Sequence, residues 1–382
     1  MERNKYFKKI KRAVVKIGTS SLTDEGGILD KAKMKKFAAE VSSAAGRGTE
    51  MIVVTSGAIA AGLQFLGIKK RPSDISTLQA AAAVGQVELM RTYGDLFGAA
   101  GFKIGQILLT REDTTRRAQY LNIRNTIENL LKLDVIPVIN ENDSVAVEEI
   151  RFGDNDRLAA LVSSLTEADL LIILSDIEGL YEKNPKADGK SRLISFVEKV
   201  TPSIEKLAGG AGSQYSLGGM VSKIKAAKIC SFSGIPMVIA SSACENVISR
   251  VIGFEQVGTF FAPSTAAKVR SIKRWIAFGI KTRGSIYLDS GASHAVKAKG
   301  KSILPVGVSK VEGSFSRGDT LKVYSSDEKL IAKGISNFSS ADIEKIRGKN
   351  DRQIMEEFGR EFCFEVIHRD SLVVFDENDF ED

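Results

Sequence analysis

Short runs of consecutive apolar residues recur through residues 1–262, and most are followed by a longer stretch of helical spacing. AVVKI at 13–17, MIVVT at 51–55, residues 104–109, VIPVI at 135–139 and LLIIL at 170–174 do not alternate in polarity. Each therefore predicts a strand buried on both faces. Residues 30–45, 78–97 and 116–131 carry apolar or alanine positions three and four apart and predict helices. Residues 235–240 and 258–261 add two short strands. Strand and helix in alternation predict the α/β class: an open, mainly parallel sheet with helices on both faces. Residues 263–275 break into small, polar and basic positions and read as a linker. Beyond them, short runs at 284–288, 302–308, 320–324 and 373–375 are separated by Gly and Asp turns and predict a small β-rich domain.

In parallel α/β sheets ligands bind at the carboxyl ends of the strands, where helix N-termini and loop amides converge. Four such ends are polar here. Lys16 interrupts the first apolar run and is followed by a small-residue turn, so its ammonium suits an anion beyond the strand. Ser56-Gly57-Ala58 leads from the second run straight into an Ala- and Gly-rich helix, a geometry for oxyanion binding or for close packing. Residues 140–156 connect the fourth run to the next helix and hold Asn140, Glu141, Asn142, Asp143, Asp154, Asn155 and Asp156. Such a set could recognise an ammonium, orient lysines or hold magnesium, and by itself also reads as a solvated loop of turn formers. Ser175-Asp176 ends the fifth run. The glycine-rich residues 209–223 precede a helix predicted from Ile224 and read as a phosphate cradle or a plain loop; they lack the Walker A spacing.

Length and composition narrow the class. At 382 residues, 43% hydrophobic and 26% charged, the chain fits an ordinary globular protein of two domains. Cys230, Cys244 and Cys363 form no close pair and fit reduced thiols, and two histidines, His294 and His368, stand far apart. That excludes a disulfide scaffold, a histidine metal cluster and a Ser-His-Asp triad. The net charge of +7 resides partly in a basic amino terminus, while the last residues are acidic; both read as solvated tails. No apolar run suits a signal peptide or membrane span, so a cytoplasmic protein without a membrane partner is expected. His368-Arg369-Asp370 stands without the other motifs of a protein kinase and is set aside.

Taken together, VVKIGTS (14–20), VTSGAIAAG (54–62), PVINENDSVA (137–146), FGDNDRLAAL (152–161) and LGGMVSK (217–223) resemble the amino acid kinase family, in matching order and spacing. Within it they look most like the branch that acts on L-glutamate. KSILPVGVSKVEGSFSRGDTL (301–321) and VIHRD (366–370) resemble a PUA domain. The resemblance implies a kinase domain over 1–262, a linker over 263–275, a PUA domain over 276–372 and an acidic tail over 373–382. It implies ATP, with Mg2+, phosphorylating the γ-carboxylate of L-glutamate, the first step of proline biosynthesis. Lys16 and Lys223 match the lysines that neutralise the transferring phosphoryl group, and Asp156 the aspartate that aligns them. Ser56, Gly57, Asp143 and Asn155, with Asn140 close by, match the glutamate-binding positions. Lys16, Ser175, Asp176, Leu217, Gly218, Gly219, Met220, Val221, Ser222 and Lys223 match nucleotide-binding positions. Ser175 replaces a commoner threonine, and Leu217 a small polar residue, which removes a side-chain hydrogen bond there. Proline as feedback inhibitor, a homo-oligomer (dimer or tetramer) and channelling to glutamate 5-semialdehyde dehydrogenase are further implications. Kinases of the same fold acting on N-acetylglutamate, aspartate or carbamate are the near alternatives. RNA binding through the PUA domain is the distant one, although basic and acidic residues nearly balance between 275 and 370.

Overall fold

The structure, a computed structural model, describes residues 3–6, 9–110, 113, 117–145, 155–183, 191–209, 217–264, 273, 276–277, 282–358 and 365–375. Residues 146–154 of the acidic connection, glycine-rich residues 210–216, Cys363, most of the expected linker and residues 376–382 of the acidic tail lie outside them. The chain divides into two compact units, Met1–Lys268 and Val269–Asp382.

The first unit is built on an eight-stranded sheet of order β3-β4-β2-β1-β5-β7-β8-β6. Its strands are β1 (Arg12–Ile17), β2 (Glu50–Val54), β3 (Lys103–Leu109), β4 (Val135–Glu141), β5 (Leu170–Ser175), β6 (Phe196–Val197), β7 (Met237–Ser241) and β8 (Thr259–Phe261). The strands from β3 to β7 in this order run parallel. β8 pairs antiparallel with β7 and parallel with β6, so the far edge is reversed. The apolar pattern predicted β8 but not its direction, and two-residue β6 is too short to leave a pattern. β1 lies at the centre with residues 13–17 buried between β2 and β5, which is why its side chains are β-branched apart from Ala13 and Lys16.

Helices α1 (Lys31–Gly46), α2 (Ala58–Phe65), α3 (Ile75–Ala99), α4 (Arg117–Lys132), α5 (Asn155–Leu165), α6 (Pro202–Gly209), α7 (Leu217–Phe232) and α8 (Val247–Ile252) lie between these strands in the chain. Asp30 and Asp74 cap α1 and α3 by accepting from backbone amides of the first turn. Three boundaries differ from expectation. β4 runs on to Glu141 because its ladder to β3 continues there, and α5 begins at Asn155. Asn140, Asn155 and Asp156 therefore sit on regular elements and not on the connection. α7 begins at Leu217, so Gly218 and Gly219 lie in its first turn and Lys223 well inside it, not in a loop before Ile224.

The second unit carries a five-stranded sheet of order β10-β9-β11-β12-β13. These are β9 (Gly284–Leu288), β10 (Val308–Glu312), β11 (Thr320–Tyr324), β12 (Leu330–Ile335) and β13 (Leu372–Val374). Ile286, Leu321, Val323, Ile331 and Ile343 are central to its core. Residues 302–308, expected as a strand, instead hold a 3-10 turn at Pro305–Gly307, since Pro305 has no amide for a ladder. Helices α9 (Ser290–Lys299), α10 (Ser340–Ile346) and α11 (Asp351–Phe358) are too short for periodicity to show; the cap residues Asp289, Ser339 and Asn350 are their sequence marks.

α2 and α3 cross with almost no separation. A Cβ at Gly62 would lie 1.8 Å from the Ala81 carbonyl oxygen, and one at Gly85 1.8 Å from the Ala58 carbonyl oxygen. Only glycine permits this approach, which holds the start of α2 against the third turn of α3. Gly94, on the same helix, has nothing within 4 Å of an added Cβ. Gly85→Ala should therefore lower stability by about 2–3 kcal/mol through overpacking, whereas Gly94→Ala should be neutral or stabilising by about 0.5–1 kcal/mol. Urea unfolding of the two variants checks this; equal midpoints would remove the close crossing as a constraint.

Candidate active site

Three charged side chains meet where the carboxyl end of β1 faces the starts of α5 and α7. Lys16 Nζ lies 2.6 Å from Asp156 Oδ1, and Lys223 Nζ 3.1 Å from Asp156 Oδ2. Ser222 Oγ donates to the same Oδ2 at 3.1 Å, and Lys223 Nζ donates to the Gly219 carbonyl at 3.2 Å. Asp156 is 3% exposed and each lysine 7%, so the charges meet with little water between them. Burial alone would raise the Asp156 carboxyl; the ammonium groups of Lys16 and Lys223 outweigh it and hold the carboxyl below its ordinary value. Its place in the first turn of α5 favours the same ionised form. Two cations share one anion. The cluster keeps one positive charge that suits a phosphoryl group.

One residue away, a run of side-chain amides crosses the same edge. Asn155 Nδ2 donates to the Thr55 carbonyl at 2.7 Å, Ser56 Oγ at 2.9 Å and Asn140 Oδ1 at 3.0 Å. Asn140 Nδ2 donates to Gln86 Oε1 at 2.9 Å, and the Glu141 amide donates to Asn140 Oδ1 at 2.9 Å. Gly57, at φ 102, turns the chain from β2 into α2 in a conformation that side chains resist. Thr55 Oγ1 lies 2.8 Å from the hydroxyl of Tyr93, whose burial pushes its phenol well above the ordinary value and keeps it neutral. A cavity of about 280 Å³ adjoins this network, lined among others by Ala82, Gln86, Glu141, Asn142 and Asp143.

The structure thus brings Lys16, Asp156, Ser222 and Lys223 into one cluster and Ser56, Asn140 and Asn155 into another. Asp143 stands half-buried on the cavity wall. Ser175 ends β5 beside β1 and donates to exposed Asp176 at 3.1 Å; both share the edge without a described bond to either cluster. Leu217, Gly218, Met220 and Val221 lie in the opening turns of α7. Sequence reasoning missed Gln86 and Tyr93. Gln86 was findable: it follows Leu78 and Ala82, and precedes Leu89 and Tyr93, on the buried face of α3, where one amide among apolar residues needs a partner.

No described helix is long and apolar enough to cross a membrane. Residues 11–241 match the model of the amino acid kinase family, and residues 284–358 that of the PUA domain. A glutamate 5-kinase of Caldanaerobacter subterraneus subsp. tengcongensis is 47% identical over 365 residues, covering 96% of this chain and 98% of its own. One from Thermoanaerobacter sp. is 45% identical over 365 residues, covering 96% of this chain and 98% of its own. One from Pelobacter propionicus is 44% identical over 372 residues, covering 97% and 100%. With the family model matching more than half its length and these relatives nearly all of it, the chain belongs to the amino acid kinase family, among its glutamate 5-kinases, with a PUA domain following the kinase domain in sequence.

Proposed function

We propose that the protein transfers the γ-phosphoryl group of ATP to the γ-carboxylate of L-glutamate, giving L-glutamyl 5-phosphate, the first step toward proline. The observation that carries this reading is Asp156 held between two buried lysines, one residue from an amide network able to take an amino acid. A carboxylate is already a nucleophile at neutral pH, so no base is needed. The obstacle is the approach of two anions, which Lys16 and Lys223 offset, while Asp156 fixes the distance between them. Magnesium carried on the phosphates of ATP would add charge neutralisation there.

In this reading Ser56, Gly57, Asn140 and Asn155 hold the carbon chain and carboxyl groups of glutamate, and Asp143 pairs with its α-ammonium. Residues 217–223, with Ser175 and Asp176, face the nucleotide; the backbone amides of Gly218 and Gly219 at the start of α7 serve without a hydroxyl from Leu217. Residues 1–262 form the catalytic unit. Proline shares the α-ammonium and α-carboxylate of glutamate, which supports competition for the same site as feedback. A homo-oligomer, a cytoplasmic location and transfer of the acyl phosphate to glutamate 5-semialdehyde dehydrogenase belong to the same proposal and rest on the family alone.

A second reading concerns the PUA domain. Tyr287 and Tyr324 stack with centroids 5.0 Å apart at 17°, and Lys310 Nζ lies 4.8 Å from the Tyr287 centroid. A platform of this kind suits a stacked nucleobase, although Glu312, 2.5 Å from Lys310, cancels its charge. An RNA gel shift at low and high salt tests it, and no shift at either would remove it.

Purified protein with ATP, magnesium and hydroxylamine should form hydroxamate with L-glutamate and not with N-acetylglutamate or L-aspartate. Preference for another acid would end the substrate assignment. Lys223→Ala should lower turnover on the order of 100-fold or more, with the KM for glutamate little changed, as steady-state kinetics would read; turnover within a few-fold of wild type would remove Lys223 from the mechanism. Asp143→Ala should act mainly on the KM for glutamate, and an unchanged KM would remove the ammonium contact.

A further inference from the structure

The amide network has a fixed direction. The backbone N–H of Glu141 can only donate, so the Asn140 atom it meets is the oxygen and the other end of that side chain is the NH2 group. That NH2 group donates to Gln86, so the Gln86 atom it meets is again the oxygen. The Nε2 of Gln86 is left over. It is buried and makes no hydrogen bond among the described residues, in a side chain only 8% exposed. A buried donor without an acceptor is costly unless an acceptor arrives.

Gln86 lines the cavity shared with Glu141 and Asp143. A simple anion would meet two carboxylates there. An α-amino acid head group would not suffer this: its ammonium faces the acids, and its carboxylate supplies the acceptor that Nε2 lacks. The connections also suggest which end of the molecule goes where. Asp156 bonds the two lysines directly, whereas Gln86 is joined to its neighbour Asn155 through Asn140. The reacting carboxylate belongs at the lysines and the spectator carboxylate at Gln86. We infer that Gln86 donates through Nε2 to the α-carboxylate of the acid substrate and so helps determine specificity for a free α-amino acid. This rests on the glutamate reading above. Ala82, one turn earlier on α3 and also on the cavity wall, leaves room beside the amide, and the close crossing at Gly85 fixes the helix at this point.

The test compares two substrates that share a γ-carboxylate: L-glutamate and its α-amide. A hydrogen bond to a charged acceptor is stronger than one to a neutral carboxamide, so wild type should favour glutamate in kcat/KM by roughly 10- to 100-fold through this contact. Gln86→Met keeps the volume and removes the donor; it should raise the KM for glutamate roughly 10-fold or more and reduce the preference over the α-amide to within a few-fold. The ratio is taken within one preparation, so the fraction folded cancels. Gln86→Leu repeats it with a different shape. If Gln86 only positions Asn140, both substrates suffer alike, and an unchanged preference in the variants overturns the inference while the kinase assignment stands. A wild-type protein that phosphorylates no glutamate overturns that assignment and the inference with it.

Discussion

A single carboxylate, that of Asp156, joins three elements of the first unit. It binds Lys16 from the central strand and Lys223 and Ser222 from α7, and it sits in the first turn of α5. Removing it would leave two buried ammonium groups without a counter-charge, a situation that costs several kcal/mol when one partner of a buried pair is lost. With it in place, the lysines are held at a fixed separation before any ligand arrives. In the proposed reaction the excess of one positive charge is what suits the strand edge to a phosphoryl group, and it would cost no rearrangement at the moment of reaction.

In the proposed reaction charge handling and shape recognition are divided between neighbouring residues on one helix. Asp156 faces the lysines; Asn155 faces β2 and β4 through Thr55, Ser56 and Asn140. A substrate with two carboxylates can therefore be held at one end by neutral donors and activated at the other by cations. The glycines at the α2–α3 crossing belong to the same arrangement, because they bring Gln86 within reach of Asn140.

Much of this could be read in the sequence. The consecutive apolar runs located the main parallel strands, and a lysine inside one of them already implied an anion at its end. Asn140, Asn155 and Asp156 were visible as a polar cluster, yet their assignment to a connection was off because polar side chains that hold element ends look like loop residues. α7 starts seven residues before the expected Ile224 because glycines in a first helical turn read as a loop. Gln86 carries no motif; its place on the buried face of α3 is legible in the sequence, whereas the direction of its hydrogen bond is not. The reversed edge strand β8 was hidden for a related reason, since an apolar run gives no sign of direction. In the second unit, short capped helices and a proline turn defeated periodicity.

In the proposed reaction Asp156 acts through the two lysines and has no separate role. A double-mutant cycle on hydroxamate formation tests it, using Asp156→Asn, Lys223→Met and the pair together. Adding Asp156→Asn to Lys223→Met should cost far less in kcat than Asp156→Asn does alone, because the aspartate has by then lost half of what it aligns. Effects that simply multiply, leaving no coupling between the two positions, would contradict it.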